Sequence, residues 1–157
     1  MDWKRLAQFA LLGSRDSEQY AILLMRVSIE LFFAISGGRK LFVAVSRKTM
    51  YETLTRAKVP FPSLMTYFVS SVEFVGGSLV AAGLLSSLAS LALSVNMVVA
   101  ILTAKLSAMP KGLSSLGWVD NLLYIPEVLY VLIFLWMICS GPGKLSVDSW
   151  LADQLQK

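Results

Sequence analysis

Apolar residues dominate four stretches of the chain, each near the roughly 20 residues that a helix needs to cross a bilayer core. They run over residues 20–45, 64–85, 88–106 and 122–140. Backbone groups in hydrocarbon have no water to bond, so each stretch is expected to be a helix. Only Ser86 and Ser87 separate the second from the third, which predicts a tight antiparallel hairpin. After the first helix comes a longer basic loop with Arg47, Lys48, Arg56 and Lys58, closing on Pro60-Phe61-Pro62. A second loop, SAMPKGLSSLGWVDN, joins the third helix to the fourth. Residues 2–12, DWKRLAQFALL, set Trp3, Leu6, Phe9 and Ala10 at the spacing of a helix lying on a membrane surface. Gly141-Pro142-Gly143 stops the fourth helix, and Ser146 reads as the N-cap of a short amphipathic helix with Trp150, Leu151 and Leu155. The expected fold is all-α: one integral membrane four-helix bundle over residues 1–157, with short interfacial helices at both termini.

Composition supports that reading. Of 157 residues, 56% are hydrophobic and 15% charged, and the mean hydropathy is +0.67. Soluble domains carry about 25% charged residues. The net charge of +4 comes from basic residues placed between apolar runs, as membrane flanks require, so nucleic acid is not an expected partner. Five cations lie on the side of the termini and five opposite them; Arg39, Lys40 and Lys105 tip the count toward cytoplasmic long loops, but as candidate site residues they leave orientation undetermined. No histidine is present, which removes the commonest general base and metal ligand, and no metal site is expected. The one cysteine, Cys139, has no partner for an internal disulfide or a redox pair. LAQFALLG after Lys4 and Arg5 is too short for a cleavable signal peptide and lacks its cleavage site.

Charge inside the spans is the informative departure. On a regular helix Arg26, Glu30, Phe33, Gly37 and Lys40 share a stripe roughly 80° wide, while Arg39 points to the far side. A charge in mid-membrane costs on the order of 3 kcal/mol on insertion scales, so the stripe is expected to face other helices or a hydrated pocket. Glu30 follows Arg26 by four residues, the spacing of an intrahelical ion pair. The second helix offers Glu73 one turn before Gly76-Gly77, and a Gly77-x-x-x-Ala81 step allows close backbone approach. Asn96 and Lys105 lie on the third helix and Glu127 follows Pro126 on the fourth. Arg26, Lys40 and Lys105 against Glu30, Glu73 and Glu127 compose a neutral internal network. That network either binds a ligand or only fixes helix packing. Arg26 also reads as a snorkelling residue, Lys105 as an interfacial anchor and Glu127 as a complement to a helix N-terminus.

Four motifs in order resemble the DoxX family of small membrane proteins. They are LLMRVSIELFFAISGGRKLF; VPFPSLMTYFVSSVEFVGGSLVAAGLL; MVVAIL leading to Lys105; and GPGKLSVDSW. Arg26, Gly37, Lys40, Pro60, Glu73, Gly76, Gly77, Gly141, Gly143, Ser146 and Asp148 match the family pattern. Lys105 stands where many members carry histidine, and Glu30 where many carry a small or apolar residue. The resemblance implies an inner-membrane protein, with some relatives serving as subunits of a thiosulfate:quinone oxidoreductase and others as chaperones or cargo receptors.

Two functions follow as expectations. In the first, the chain is the membrane subunit of an oxidoreductase system and holds a quinone or small anion in a charged intramembrane pocket. Arg26, Lys40 and Lys105 would supply positive potential, and Glu73 or Glu30 would exchange protons. In the second it is a non-enzymatic scaffold, chaperone or lipid- or solute-binding protein. Both place it in the bilayer beside a protein partner or a second copy of itself.

Overall fold

In a computed structural model, Trp3 and residues 18–156 are described. These residues are helical throughout the ordered elements, with no strand among them. The helices are α1 (Glu18–Phe42), α2 (Ala44–Arg56), α3 (Pro62–Ala82), α4 (Ser86–Ala100), α5 (Ser115–Leu123), α6 (Pro126–Ser140) and α7 (Val147–Leu155). A five-residue π-helical turn, Ile101–Lys105, and a short 3-10 turn, Leu106–Ala108, continue α4. Three of these helical stretches, Glu18–Phe42, Pro62–Ala82 and Ser86–Ala108, are long and apolar enough to span a membrane, and a fourth qualifies if α5 and α6 are taken together across their 68° bend. This is a multi-pass membrane protein. The interfacial helix expected at residues 2–12 lies outside the described residues, apart from an exposed Trp3.

α1 and α3 form the closest pairing, followed by α4 with α6 and α3 with α4. Lipid tails are as apolar as the helices, so association in a bilayer rests on close packing and polar contacts. Two glycines provide the closeness. A Cβ on Gly37 would meet the backbone N of Phe74 and stand 2.7 Å from the carbonyl oxygen of Ser70, and one on Gly77 would stand 2.6 Å from Ala34 N and 2.8 Å from the Glu30 carbonyl. The small-residue step expected on the second span therefore works through Gly77, with Gly37 as its counterpart on α1. Phe33, Val80, Leu93, Met97, Phe134 and Met137 fill the centre. Phe33 packs edge-on against Tyr130, with ring centroids 5.0 Å apart. Leu24, Leu31, Ile35, Leu88, Val95 and Leu132 face outward, as lipid-facing positions do. Thr66 and Ser70 are buried and donate to the carbonyls one turn back at 2.7 and 2.6 Å, which satisfies their hydroxyls within the helix.

Four sequence expectations need correction. The basic loop after the first span is largely the helix α2, since AVSRKTMYETLTR contains neither glycine nor proline. Extended Val43 turns the chain between α1 and α2, and Arg47 donates to the Leu41 carbonyl at 2.8 Å, satisfying an otherwise open group at the end of α1. The Arg47 guanidinium also lies over the Tyr67 ring, 5.6 Å from its centroid, tying α2 to α3. The α3–α4 hairpin turns at Gly83–Leu85, and Ser86 opens the next helix instead of linking the two. The third span loosens at its end into the π and 3-10 turns. The fourth is broken: α5 occupies part of the expected loop, and Pro126 starts α6 afresh because it lacks an N–H and disfavours helical geometry at Ile125.

The helix contact yields a contrast. Gly37→Ala and Gly77→Ala are each expected to cost about 1–3 kcal/mol, the range for forcing extra volume into a packed interface. Gly117→Ala, on α5 with its nearest neighbour a side-chain oxygen at 3.3 Å, is expected to be neutral or to gain up to about 1 kcal/mol from helix propensity. Thermal unfolding of the three purified variants checks the ordering.

Candidate functional site

The charged stripe of α1 faces inward as its spacing requires: Arg26, Glu30, Phe33 and Gly37 are all buried, and Lys40 is half-buried. The structure does not join these charges into one network. It separates them into three places along the bundle.

The first is between α1, α2 and α3. Gly37 brings the two long helices into backbone contact one turn before Lys40, and this delivers the lysine to α3. Lys40 Nζ donates to Glu73 Oε2 at 2.5 Å, with Glu73 almost wholly buried. Beside this pair a groove of about 520 Å³ runs between α1 and α2. Phe32, Ile35 and Met50 give it apolar walls; Ser36, Ser46, Thr49 and Thr53 add hydroxyls; Arg39 and Lys40 add positive charge. The Thr49 and Thr53 hydroxyls donate to carbonyls of their own helix at 3.1 and 2.9 Å, so what each has left to offer is acceptor capacity. The groove thus combines cationic donors, neutral acceptors and flat apolar surface. Arg39 was not among the expected site residues. It points away from the stripe, but α2 folds back along that side of α1, and the absence of helix breakers in residues 44–56 was the available signal.

The second place is the end of the bundle that carries the α3–α4 hairpin and the C-terminal segment. Arg26 donates to the carbonyls of Pro142 and Leu145 at 2.7 and 2.8 Å and does not pair with Glu30. Asp148 accepts from the backbone N–H groups of Leu85 and Ser86 at 2.7 and 2.8 Å, capping α4 from a distant part of the chain. Its own N–H returns to the Gly83 carbonyl at 2.8 Å. Gly83 has a left-handed backbone (φ 72°), and a Cβ there would stand 2.7 Å from both Arg26 Nη1 and Ser146 Cβ. Ser146 caps α7 as expected, accepting from Ser149 N–H at 3.1 Å. Burial pushes the Asp148 carboxyl up, but the Ser86 N–H and nearby hydroxyl, the Leu85 N–H and the Arg26 charge outweigh it and hold the group below its ordinary value. The Ser86 hydroxyl itself lies outside hydrogen-bonding geometry. Glu30 lies one turn deeper, fully enclosed, with neither carboxyl oxygen meeting a protein donor.

The third place is the outer end of the π turn. Lys105 Nζ meets Glu127 Oε1 at 2.8 Å, with Lys105 exposed and Glu127 partly covered. Glu127 also sits in the first turn of α6, where a negative charge complements the helix N-terminus. Lys105 does not line the groove.

The family model described as DoxX matches residues 21–106, more than half of the chain. No curated protein and no solved structure matches it.

The Asp148 cap carries a pH signature. A carboxylate held below its unfolded value contributes stability that is complete above the unfolded pKa near 3.9 and is lost as pH falls through the lower folded value. Asp148→Ala is expected to cost about 1 kcal/mol near neutrality, the usual size of a helix cap. The gap in melting temperature between it and the parent should narrow as pH drops from about 6 to about 3. A gap independent of pH contradicts the cap.

Proposed function

The chain belongs to the DoxX family, and on that premise we propose that it is the membrane subunit of an oxidoreductase system, holding a quinone or small anion in the α1–α2 groove. In this reading the chain is one four-span domain of the cell's inner membrane, with the bent α5–α6 pair as the fourth crossing. The observation that carries it is the juxtaposition of Arg39 and Lys40 with apolar walls, at the point where Lys40 is bound to Glu73.

Each component has a chemical task. Phe32, Ile35 and Met50 give a planar ring a surface that excludes water, while Arg39 and Lys40 donate to its oxygens. Added negative charge on a reduced head group strengthens those contacts, because charge-assisted hydrogen bonds are roughly twice as strong as neutral ones. Thr49 and Thr53 accept from a hydroxyl of the reduced form. Lys40 links the groove to Glu73, so a proton leaving the ligand has a buried carboxylate one hydrogen bond away. Electrons enter and leave through the bound ligand and a partner protein. Of the residues expected to bind ligand, Lys40 and Glu73 form this site with Arg39, whereas Arg26, Glu30 and Lys105 belong elsewhere.

Titration of the detergent-purified protein with a short-chain quinone analogue tests the assignment. Arg39→Ala and Lys40→Ala should each weaken binding about 10- to 100-fold, the equivalent of losing one hydrogen bond to a charged group. Lys105→Ala should leave it unchanged. Unaltered affinity in folded Arg39→Ala and Lys40→Ala proteins overturns the site, and a protein partner retained by those variants would then favour a scaffold.

A further inference from the structure

Glu30 takes no part in the groove, yet among the described residues it is the most completely buried charged one, at 0% exposure. Both of its carboxyl oxygens lack a protein partner, as do Arg26 Nε and the fully buried Ser90 hydroxyl. Helix register sets these groups in the half of the bundle nearer the α3–α4 hairpin. Gly77 lies against the Glu30 carbonyl and Gly83 against the Arg26 guanidinium, so α3 from 77 to 83 runs alongside Arg26 and Glu30. Gly76 lies against Leu93, and the hairpin turns at Gly83–Leu85, which sets Ser90 level with the same part of α3. Glu30, Val80 and Ser90 therefore occupy one layer, with Arg26 a turn nearer the surface.

Several unmatched donors and acceptors within one level of a core are rare, because each desolvated polar group without a partner is costly. An ionised carboxylate is the most costly of all. Arg26 does not neutralise it directly, since two of its nitrogens are committed to Pro142 and Leu145. Among the described residues the surrounding elements offer no other cation: α4 has no charged residue, the sole charge of α3 is Glu73, which is bound to Lys40, and α6 brings only the Tyr130 phenol near Phe33. Beyond Arg26 lies Asp148 of the C-terminal segment. Arg26 reaches the C-terminal segment at the Pro142 and Leu145 carbonyls, and Lys144 and Leu145 of that segment are exposed, so polar groups lead outward from Glu30 through Arg26.

We propose that Glu30 is a proton-binding carboxyl at the inner end of a polar path that reaches the aqueous face beneath the C-terminal segment. Bridging water satisfies Ser90 and Arg26 Nε along this path. Hydronium outside gives its proton to the Glu30 carboxylate and leaves a water molecule behind; the reverse transfer regenerates the carboxylate. Arg26, Pro142, Leu145 and the Asp148 cap form the roof over the path, and loosening the roof speeds exchange.

Infrared difference spectroscopy on the full-length protein in lipid nanodiscs tests this. The parent should show a protonated-carboxyl band that is missing from Glu30→Gln, shifted in Glu30→Asp, and replaced by carboxylate absorption as pH rises. Deuterated water should shift the band, and Asp148→Asn should shorten the exchange time several-fold. If Glu30→Gln does not fold, the Glu30→Asp shift and isotope-labelled glutamate in the parent identify the band. The proposal is overturned by a Glu30 that stays ionised at every pH at which the protein is folded, or by a band that never responds to deuterated water. Neither result touches quinone binding in the groove, which Glu30 does not line.

Discussion

The backbone contact of α1 with α3 is the constraint from which the rest of the arrangement follows. Gly37 and Gly77 each leave no room for even a single methyl group, and with a side chain at either position the helices would have to stand farther apart. Close approach sets the register along both helices at once. It presents Lys40 to Glu73 at one end, encloses Glu30 in the middle and lays Arg26 beside Gly83 at the other. Packing of this kind substitutes for the hydrophobic driving force that lipid does not provide, and the buried charges then specify which helix faces meet.

Two ends with different chemistry result. At the α2 end the polar groups are matched or open to a groove. At the hairpin end the chain uses its own C-terminal segment as a structural partner: Arg26 holds two carbonyls there, and Asp148 returns to cap α4. The Gly-Pro-Gly turn and Asp148 thus act on the first and third spans, far from their own place in sequence. Glu30 lies between the two ends and belongs fully to neither.

Much of this was legible in the residues. The i, i+4, i+7 placement of Arg26, Glu30, Phe33 and Gly37 gave the inward face of α1, because helical geometry is local. Glu73 beside Gly76-Gly77 likewise marked a packed, polar position on α3. What could not be read was which charge meets which. Arg26 and Glu30 have ideal spacing for a pair, but the C-terminal carbonyls compete for the guanidinium, and that competition depends on a chain segment more than a hundred residues away. Residues 44–56 looked like a loop because their polarity masked a breaker-free helix, and with α2 unseen the place of Arg39 beside the groove was hidden as well. The break at Pro126 was signalled by the proline itself, whose effect on Ile125 is local, yet the apolar run on both sides read as one span.

The most direct test of the central claim, that close α1–α3 packing delivers Lys40 onto Glu73 as a buried ion pair, is a double-mutant cycle on stability with Lys40→Met and Glu73→Gln. Either change alone should cost about 3–5 kcal/mol, since it strands the other charge, while the double variant should lose far less than the sum. Additive losses would show that the two side chains do not meet, and the proposed geometry of α1 against α3 would be wrong.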